Sequence, residues 1–254
     1  MATRFTEPCE ALAAVEKKRS RVLMMCSKEL QDNADVVHAC LKHDGAALRW
    51  ASGRLRADRA TIRIAVDQHG PAIQFALGEN ILLDFETASA AVRQDWSALQ
   101  FCSPTLREDS DIVREALRGS GSALQFASEK KRADRQFCLE AVLIDGNAYP
   151  HVSQRLKNNR EIVLAAVRQN GDMLSLVPSF RLRQDAEVVG AAVRQNGYSL
   201  EHAGADVVRS GWGSDTVGIV EAAMEQRMAA MSGISKPLRP GYVDESHWQR
   251  STKM

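Results

Sequence analysis

The stretch AAVRQNG occupies residues 165–171 and recurs unchanged at residues 191–197, and a close variant, AAVRQDW, occupies residues 90–96. Its last residue marks a position that returns every 25 or 26 residues along the chain. These marker positions are Gly45, Gly70, Trp96, Gly121, Gly146, Gly171 and Gly197. Self-similarity at a fixed period of this length is typical of proteins built from repeated structural units. The sequence therefore predicts seven tandem repeats.

Each repeat opens with the signals of a short α-helix. Twelve residues before each marker, an Asp or Asn recurs whose side chain can cap the free amides of a first helical turn: Asn33, Asp58, Asp84, Asp109, Asp134, Asn159 and Asp185. An acidic residue follows two positions later in most repeats, as the positive end of the helix dipole favours. We expect the marker glycine to end this first helix in the left-handed conformation.

Apolar residues follow each cap at the spacing of a helix with one buried face. In the sixth repeat they are Ile162, Val163, Ala166 and Val167. The position of Ala166 holds Cys40 in the first repeat and alanine in the others, which indicates close approach of a neighbouring helix. After the marker, a second apolar segment predicts a shorter helix, and we interpret its aromatic residues as core: Trp50, Phe75, Phe101 and Phe126.

A helix of this size cannot bury its apolar face alone, so the repeats must stack on one another. We therefore predict an all-α protein, an α-solenoid (superhelix) of about seven 25-residue helical-hairpin repeats with capping helices at both ends. Residues 1–29 are expected to form an N-terminal cap and partial repeat, and residues 30–205 the tandem repeats. Residues 206–232 are expected to form a C-terminal capping helix, and residues 233–254 an extended tail.

The pattern Leu-x-x-Asp, followed by Val-x-x-Ala-Val-Arg-Gln-Asn-Gly-x-x-Leu-x-x-Ala, resembles the repeats of the family named domain of unknown function 4116. The best matches are residues 159–177 and 185–203, followed by 84–102 and 109–127. Together the repeats extend from about residue 30 to residue 203. The resemblance implies a helical repeat fold, and it implies no known activity and no catalytic residues.

The composition gives no strong attraction to nucleic acid or to membranes. The net charge is +1, from 33 basic and 32 acidic residues, and no apolar run is long enough to span a bilayer. The five cysteines show no CxxC spacing, which argues against disulfides and zinc sites. We expect a soluble protein of a reducing, intracellular compartment, either the cytoplasm or an organelle interior.

Nothing in the sequence predicts a catalytic, cofactor-binding or metal-binding residue. The histidines lack HExxH or HxxxH spacing, and His151 and His202 are interpreted as partly buried members of the aromatic column. Cys40, Cys102 and Cys138 fall on apolar positions, where cysteine behaves as a small hydrophobic residue. The protein is accordingly predicted not to be an enzyme.

Two features are candidates for partner binding. The first is a column of basic residues three positions before the marker, which a solenoid would align as a ridge: Lys42, Arg93, Arg118, Arg168 and Arg194. The second is the tail, which carries Tyr242 and Trp248 in a segment without a core of its own. A further basic column just before the caps is expected to be neutralised by acidic first-turn residues: Arg56, Arg107, Arg132, Lys157 and Arg183.

These observations favour a non-catalytic scaffold that binds another protein, as an accessory subunit of a larger complex. The alternative is an RNA- or phosphate-binding repeat protein that uses the basic ridge, in which case binding should weaken with salt. An enzyme with a site assembled from scattered residues is the third hypothesis.

The small-residue column generates a prediction about stability. Ala166→Leu is expected to overpack the contact between neighbouring helices and to lower the free energy of unfolding by about 1–3 kcal/mol. The thermal melting midpoint of the variant checks this, since an unchanged midpoint would place the column outside any contact between helices.

Overall fold

The computed structural model describes residues 5–16, 21–78 and 84–204. Within these ranges the regular secondary structure is helical, apart from one parallel bridge between Phe5 and Cys26. The all-α prediction is confirmed. The predicted C-terminal capping helix and tail, with Tyr242 and Trp248, lie outside the described residues.

The described chain is a succession of helix pairs, each an α-helix of 8–10 residues followed by a six-residue 3-10 helix. We number the pairs 1 to 7 in chain order. The first helices are Ala34–Leu41, Arg59–Gln68, Phe85–Gln94, Ser110–Gly119, Arg135–Ile144, Arg160–Gln169 and Ala186–Gln195. The second helices are Gly45–Trp50, Gly70–Phe75, Trp96–Phe101, Gly121–Phe126, Gly146–His151, Gly171–Leu176 and Gly197–His202.

Shorter helical segments precede the pairs or connect them. A helix at Pro8–Glu16 packs against the first helix of pair 1. The others are Leu23–Met25, Lys28–Gln31, Gly53–Arg56, Glu129–Ala133, Leu156–Asn158 and Leu182–Gln184.

The predicted caps are confirmed at every first helix. Asp109, for example, accepts hydrogen bonds through Oδ1 from the backbone amides of Asp111 (2.9 Å) and Ile112 (3.1 Å). The residue just before the marker has an extended backbone, which ends the first helix in pairs 2 to 7, and in six pairs its side chain caps the second helix. One residue thus turns the chain from an α-helix into a 3-10 helix.

The marker glycines are not left-handed, so that part of the prediction is wrong. The glycine with a positive φ in the described chain is Gly78, which is not a marker. A marker has no room for a side chain because it lies against the next pair. A Cβ built on Gly171 would lie 2.5 Å from the carbonyl oxygen of Ala192, and one on Gly45 would lie 2.2 Å from that of Ala65. The glycine column therefore reports a contact between pairs.

The core runs along the whole succession of pairs. Each first helix contacts the first helix of the next pair, and each second helix contacts the next second helix. The predicted apolar face of pair 6, namely Ile162, Val163, Ala166 and Val167, is fully buried. The small-residue column is buried in every pair, as expected for helices that approach closely: Cys40, Ala65, Ala91, Ala116, Ala141, Ala166 and Ala192.

In pairs 3, 6 and 7 the glutamine of the repeated phrase joins the pair to the one before it. The side-chain oxygen of Gln94 accepts the amide of Gly70, and its amide nitrogen donates to the carbonyl of Gln68 at 3.2 Å. The side-chain oxygen of Gln195 likewise accepts the amide of Gly171 at 2.6 Å. At these two contacts, the glutamine of one pair and the marker of the pair before it are therefore hydrogen-bonded to each other.

The contact between pairs 3 and 4 departs from this pattern. Its marker is Trp96, and the position that holds glutamine in the repeated phrase is Gly119 in pair 4. A Cβ on Gly119 would lie 3.1 Å from the Cβ of Trp96, whose ring stacks against Phe126 with centroids 6.0 Å apart. The large marker is accommodated because the facing position has no side chain.

Five pairs, namely 1, 2, 4, 5 and 7, are closed by a backbone hydrogen bond between residues 21 positions apart. In pair 4 the amide of Ser128 donates to the carbonyl of Arg107 at 2.9 Å, and in pair 5 the amide of Ser153 donates to that of Arg132 at 2.8 Å. The same bond joins Ser52 to Gln31, Leu77 to Arg56 and Gly204 to Arg183. In these pairs the bonds hold the end of the second helix beside the start of its own pair.

The substitution Gly119→Gln is expected to destabilise the protein, because the added side chain must displace the ring of Trp96. Overpacking of this kind costs about 1–3 kcal/mol. Equilibrium urea unfolding measures the free-energy difference.

The matched variant restores the usual residues at both positions, Trp96→Gly with Gly119→Gln. We expect the double variant to be more stable than the sum of the two single changes allows. Glutamine at position 119 improves helix propensity whether position 96 is tryptophan or glycine. The difference between the two costs of Gly119→Gln therefore reports only the steric conflict with the ring of Trp96. Strictly additive costs would contradict this account of the contact.

Candidate functional site

The predicted basic ridge lies at the ends of the first helices. Lys42 and Arg194 are exposed there. Arg93 and Arg118 are brought together at Glu115 of pair 4, with the Nε of Arg93 lying 3.1 Å from its carboxylate and Arg118 forming a second ion pair with it. Carboxylates therefore alternate with cations along this part of the ridge.

Arg168 is paired in the same way across the next contact. Its guanidinium lies 3.0 Å from Glu187 of pair 7, which also binds Arg160 at 2.7 Å. Ion pairs this exposed stabilise a protein by about 0–1 kcal/mol each. Their main effect is on the surface potential, because they lower the positive charge that the ridge presents to a partner.

A second row of side chains runs along the ends of the second helices. We call it the second-helix line, and it consists of the fifth residue after each marker: Trp50, Phe75, Phe101, Phe126, His151, Leu176 and His202. Trp50, Phe75, Phe101 and Phe126 were expected to be core, which is wrong for Trp50, and His202 was expected to be partly buried, which is also wrong. Trp50 is 36% exposed, Leu176 is 46% exposed and His202 is exposed, while the other four are half-buried.

Neighbouring members of the line are close enough to share a contact. The guanidinium of Arg49 lies 5.1 Å from the ring centroid of Trp50 and 5.4 Å from that of Phe75 in the next pair. Phe75, Phe101 and Phe126 each keep one side against the core. The line therefore presents one large side chain per pair, anchored from below and open on its outer side.

One member of the basic column before the caps, Arg56, is bound to the backbone of this line. The Nε of Arg56 donates to the carbonyl oxygen of Phe75 at 2.7 Å, so its neutralisation by first-turn acids was predicted wrongly. The Nε atoms of Arg107, Arg132 and Arg183 are buried and have no hydrogen-bond partner within the described chain.

Pair 5 has a groove at this place. It has a volume of about 330 Å³ and is lined by Glu129, Arg132, Pro150, His151, Val152, Ser153, Gln154 and Lys157. His151 is half-buried, and its pKa lies below the usual value because of burial first and then because of the charges of Lys157 and Arg132. Sequence reasoning missed this groove, although the unusual residues of the fifth repeat were visible as departures from the pattern.

The wall of the groove contains an unusual hydrogen bond. In pair 6 the residue that should donate the closing bond is Pro178, which has no amide hydrogen. The carbonyl of Lys157 accepts instead from the hydroxyl of Tyr149 at 2.9 Å. Tyr149 is fully buried, where the other pairs have leucine or isoleucine. The tyrosine thus replaces the donor that the proline lacks and fixes the backbone of Lys157.

Common signs of catalysis are weak in the described chain. Burial raises the pKa of the thiols of Cys40, Cys102 and Cys138 to about 12, which keeps them protonated at neutral pH. Within residues 5–16, 21–78 and 84–204, no cluster of three histidine, cysteine or acidic side chains is placed to hold a metal ion. No helix in these ranges is both long and apolar enough to cross a bilayer.

Comparison with known families agrees with the repeat pattern. The model of the family described as Domain of unknown function (DUF4116) matches residues 84–130 and 134–181. Each matched segment contains two helix pairs, namely pairs 3 and 4 and then pairs 5 and 6. The resemblance carried by the repeated phrase is thereby confirmed. Comparisons with curated proteins and with solved structures found no significant match.

The hydrogen bond from the Tyr149 hydroxyl to the Lys157 carbonyl generates a prediction about stability. Tyr149→Phe removes the hydroxyl and leaves the carbonyl of Lys157 without a donor, which is expected to cost about 1–3 kcal/mol of unfolding free energy. Equilibrium urea unfolding of the variant measures this cost.

The control uses the serine that donates the closing bond in pairs 1, 4 and 5. Pro178→Ser restores a backbone amide, and in this background Tyr149→Phe should cost clearly less than in the natural chain. Equal costs in both backgrounds would show that the hydroxyl does not replace the missing amide.

Proposed function

We propose that the helix pairs stack into an α-solenoid of seven repeats, and that this solenoid is a non-catalytic scaffold that binds another protein. It would act as an accessory subunit of a larger assembly. The succession of contacts supports the stacking, because each pair touches the next through both of its helices. A row of this kind has a long continuous surface, which suits the binding of an extended partner.

The second-helix line is the observation that carries the proposal. It repeats one large, partly exposed side chain in every pair, mostly aromatic or aliphatic, at a position that packing alone could have buried. Packed helices lie about 8–10 Å apart, so the line offers regularly spaced apolar anchors. Buried aromatic and apolar anchors are the side chains that usually dominate protein interfaces.

The basic ridge is weaker evidence for a binding surface than the second-helix line is. Arg93, Arg118 and Arg168 are held in ion pairs with carboxylates of neighbouring pairs. A nucleic-acid backbone would have to compete with these carboxylates for the same guanidinium groups. The RNA- or phosphate-binding alternative on this ridge is therefore the second choice, and it is tested by the same experiment.

The experiment measures the native size of the tagged protein in an extract of its own cells, before and after nuclease treatment. We expect a particle larger than the monomer, of fixed composition and resistant to nuclease, with a protein partner identified by mass spectrometry. A particle that collapses with nuclease would contradict protein binding and would favour the ridge.

Matched variants assign the interaction to a surface. Trp50→Gln with Leu176→Gln removes two exposed members of the second-helix line. Leu143→Gln with Ile144→Gln removes two exposed apolar side chains from the end of a first helix, off the line (56% and 45% exposed). The first variant should release the partner while the second retains it. Release by both, or by neither, would refute the line as the binding surface.

A further inference from the structure

Pair 5 departs from pairs 1 to 4 and 6 at three consecutive positions, and it shares the histidine at the last of these with His202 of pair 7. The third, fourth and fifth residues after its marker are Tyr149, Pro150 and His151. The same positions hold leucine or isoleucine, then a polar residue, then an aromatic residue or leucine in pairs 1 to 4 and in pair 6. Since all pairs share the same packing, a cluster of departures in one pair indicates a local role beyond packing.

The departing residues meet basic side chains in the groove of pair 5. Arg132 comes from the start of the pair, Lys157 from the start of pair 6, and His151 lies between them. Ser153 and Gln154 add a hydroxyl and an amide to the same lining. The opposing charge in this lining is Glu129, which is exposed at its edge. The groove therefore collects positive charge and hydrogen-bond donors.

Two of the polar atoms in this lining lack a partner in the described chain. The Nε of Arg132 and the hydroxyl of Ser153 are both buried without a hydrogen bond. The Nε atoms of Arg107 and Arg183, at the same position in pairs 4 and 7, are also buried without a partner in the described chain, whereas that of Arg56 in pair 2 donates to a backbone carbonyl. Burial of an unsatisfied donor is unfavourable unless something compensates for it. The groove thus contains hydrogen-bond donors that have no acceptor within the described chain.

The backbone around the groove is fixed from both sides. The amide of Ser153 donates to the carbonyl of Arg132 at 2.8 Å, and the hydroxyl of Tyr149 holds the carbonyl of Lys157 at 2.9 Å. The two cations therefore approach a ligand from preset positions, which lowers the entropic cost of binding.

We propose that this groove binds a phosphate group, as free phosphate or as part of a small organic phosphate. Arg132 and Lys157 supply the two positive charges that match a dianion, and Ser153, Gln154 and the imidazole of His151 supply further hydrogen bonds. The volume of about 330 Å³ leaves space for a small organic group on the phosphate. This inference does not rest on the proposed protein-binding function and uses residues outside the basic ridge, although His151 is also a member of the second-helix line.

The test is a titration of the full chain with inorganic phosphate and, in a second arm, with glycerol phosphate, each against sodium chloride at matched ionic strength. The readout is the backbone amide signals of Ser153 and Gln154 in NMR spectra. We expect saturable shifts with a dissociation constant on the order of millimolar, as a single exposed phosphate site implies. Tighter binding of glycerol phosphate would assign the site to an organic phosphate, and equal binding would assign it to the free ion.

Two variants connect the shifts to the groove. Lys157→Gln removes one cation and should weaken binding at least fivefold. His151→Phe restores the residue found in pairs 2, 3 and 4, so it should fold normally and also weaken binding. The control, Arg155→Gln, removes the same charge two residues from Lys157 but outside the groove lining. The absence of saturable shifts, or equal affinity in Lys157→Gln and Arg155→Gln, would overturn the proposal.

Discussion

The structure depends on one close contact, in which the backbone of a marker glycine lies against the carbonyl of an alanine in the next pair. At Gly171 a single Cβ atom would come within 2.5 Å of the oxygen of Ala192. This approach lets the glutamine side chain of one pair reach the amide of the glycine before it. The second helix is a 3-10 helix that begins at the marker itself, so the same contact fixes where that helix starts. The helix caps, the buried alanines and the glutamine all occupy positions that are compatible with this close contact.

Irregular positions occur as matched changes, which shows how strict the contact is. Trp96 replaces a marker glycine, and Gly119 replaces the side chain that would have met it. Pro178 removes an amide, and Tyr149 brings a hydroxyl to the carbonyl left behind. In both cases the second residue belongs to a neighbouring pair. The pairs therefore serve as internal comparisons for one another, and a residue that looks exceptional in one pair is explained by its neighbour.

The features that the sequence predicted correctly are local ones. A cap such as Asp109 acts on amides two and three residues away, so its role follows from the sequence around it. The role of Gly171 was predicted wrongly because the atom that excludes a side chain belongs to a residue 21 positions later. The exposure of Trp50 and the partner of Arg56 likewise depend on how one pair sits on the next. Of the candidate site, the ridge residues could be chosen from the sequence, whereas the carboxylates that pair with them and the groove of pair 5 could not.

The closing hydrogen bonds have a consequence for how such a chain can change in length. Each bond joins two residues of the same pair, and the other contacts described above reach no further than the adjacent pair. The spacing from cap to marker is constant at twelve residues, while the extra residue of the longer periods falls in the connections between pairs. Duplication of one whole period would therefore add one helix pair, and one more side chain in the second-helix line, without disturbing the hydrogen bonds inside the others. The length of the second-helix line is set by the number of copies of a short genetic segment, and it can grow in single steps.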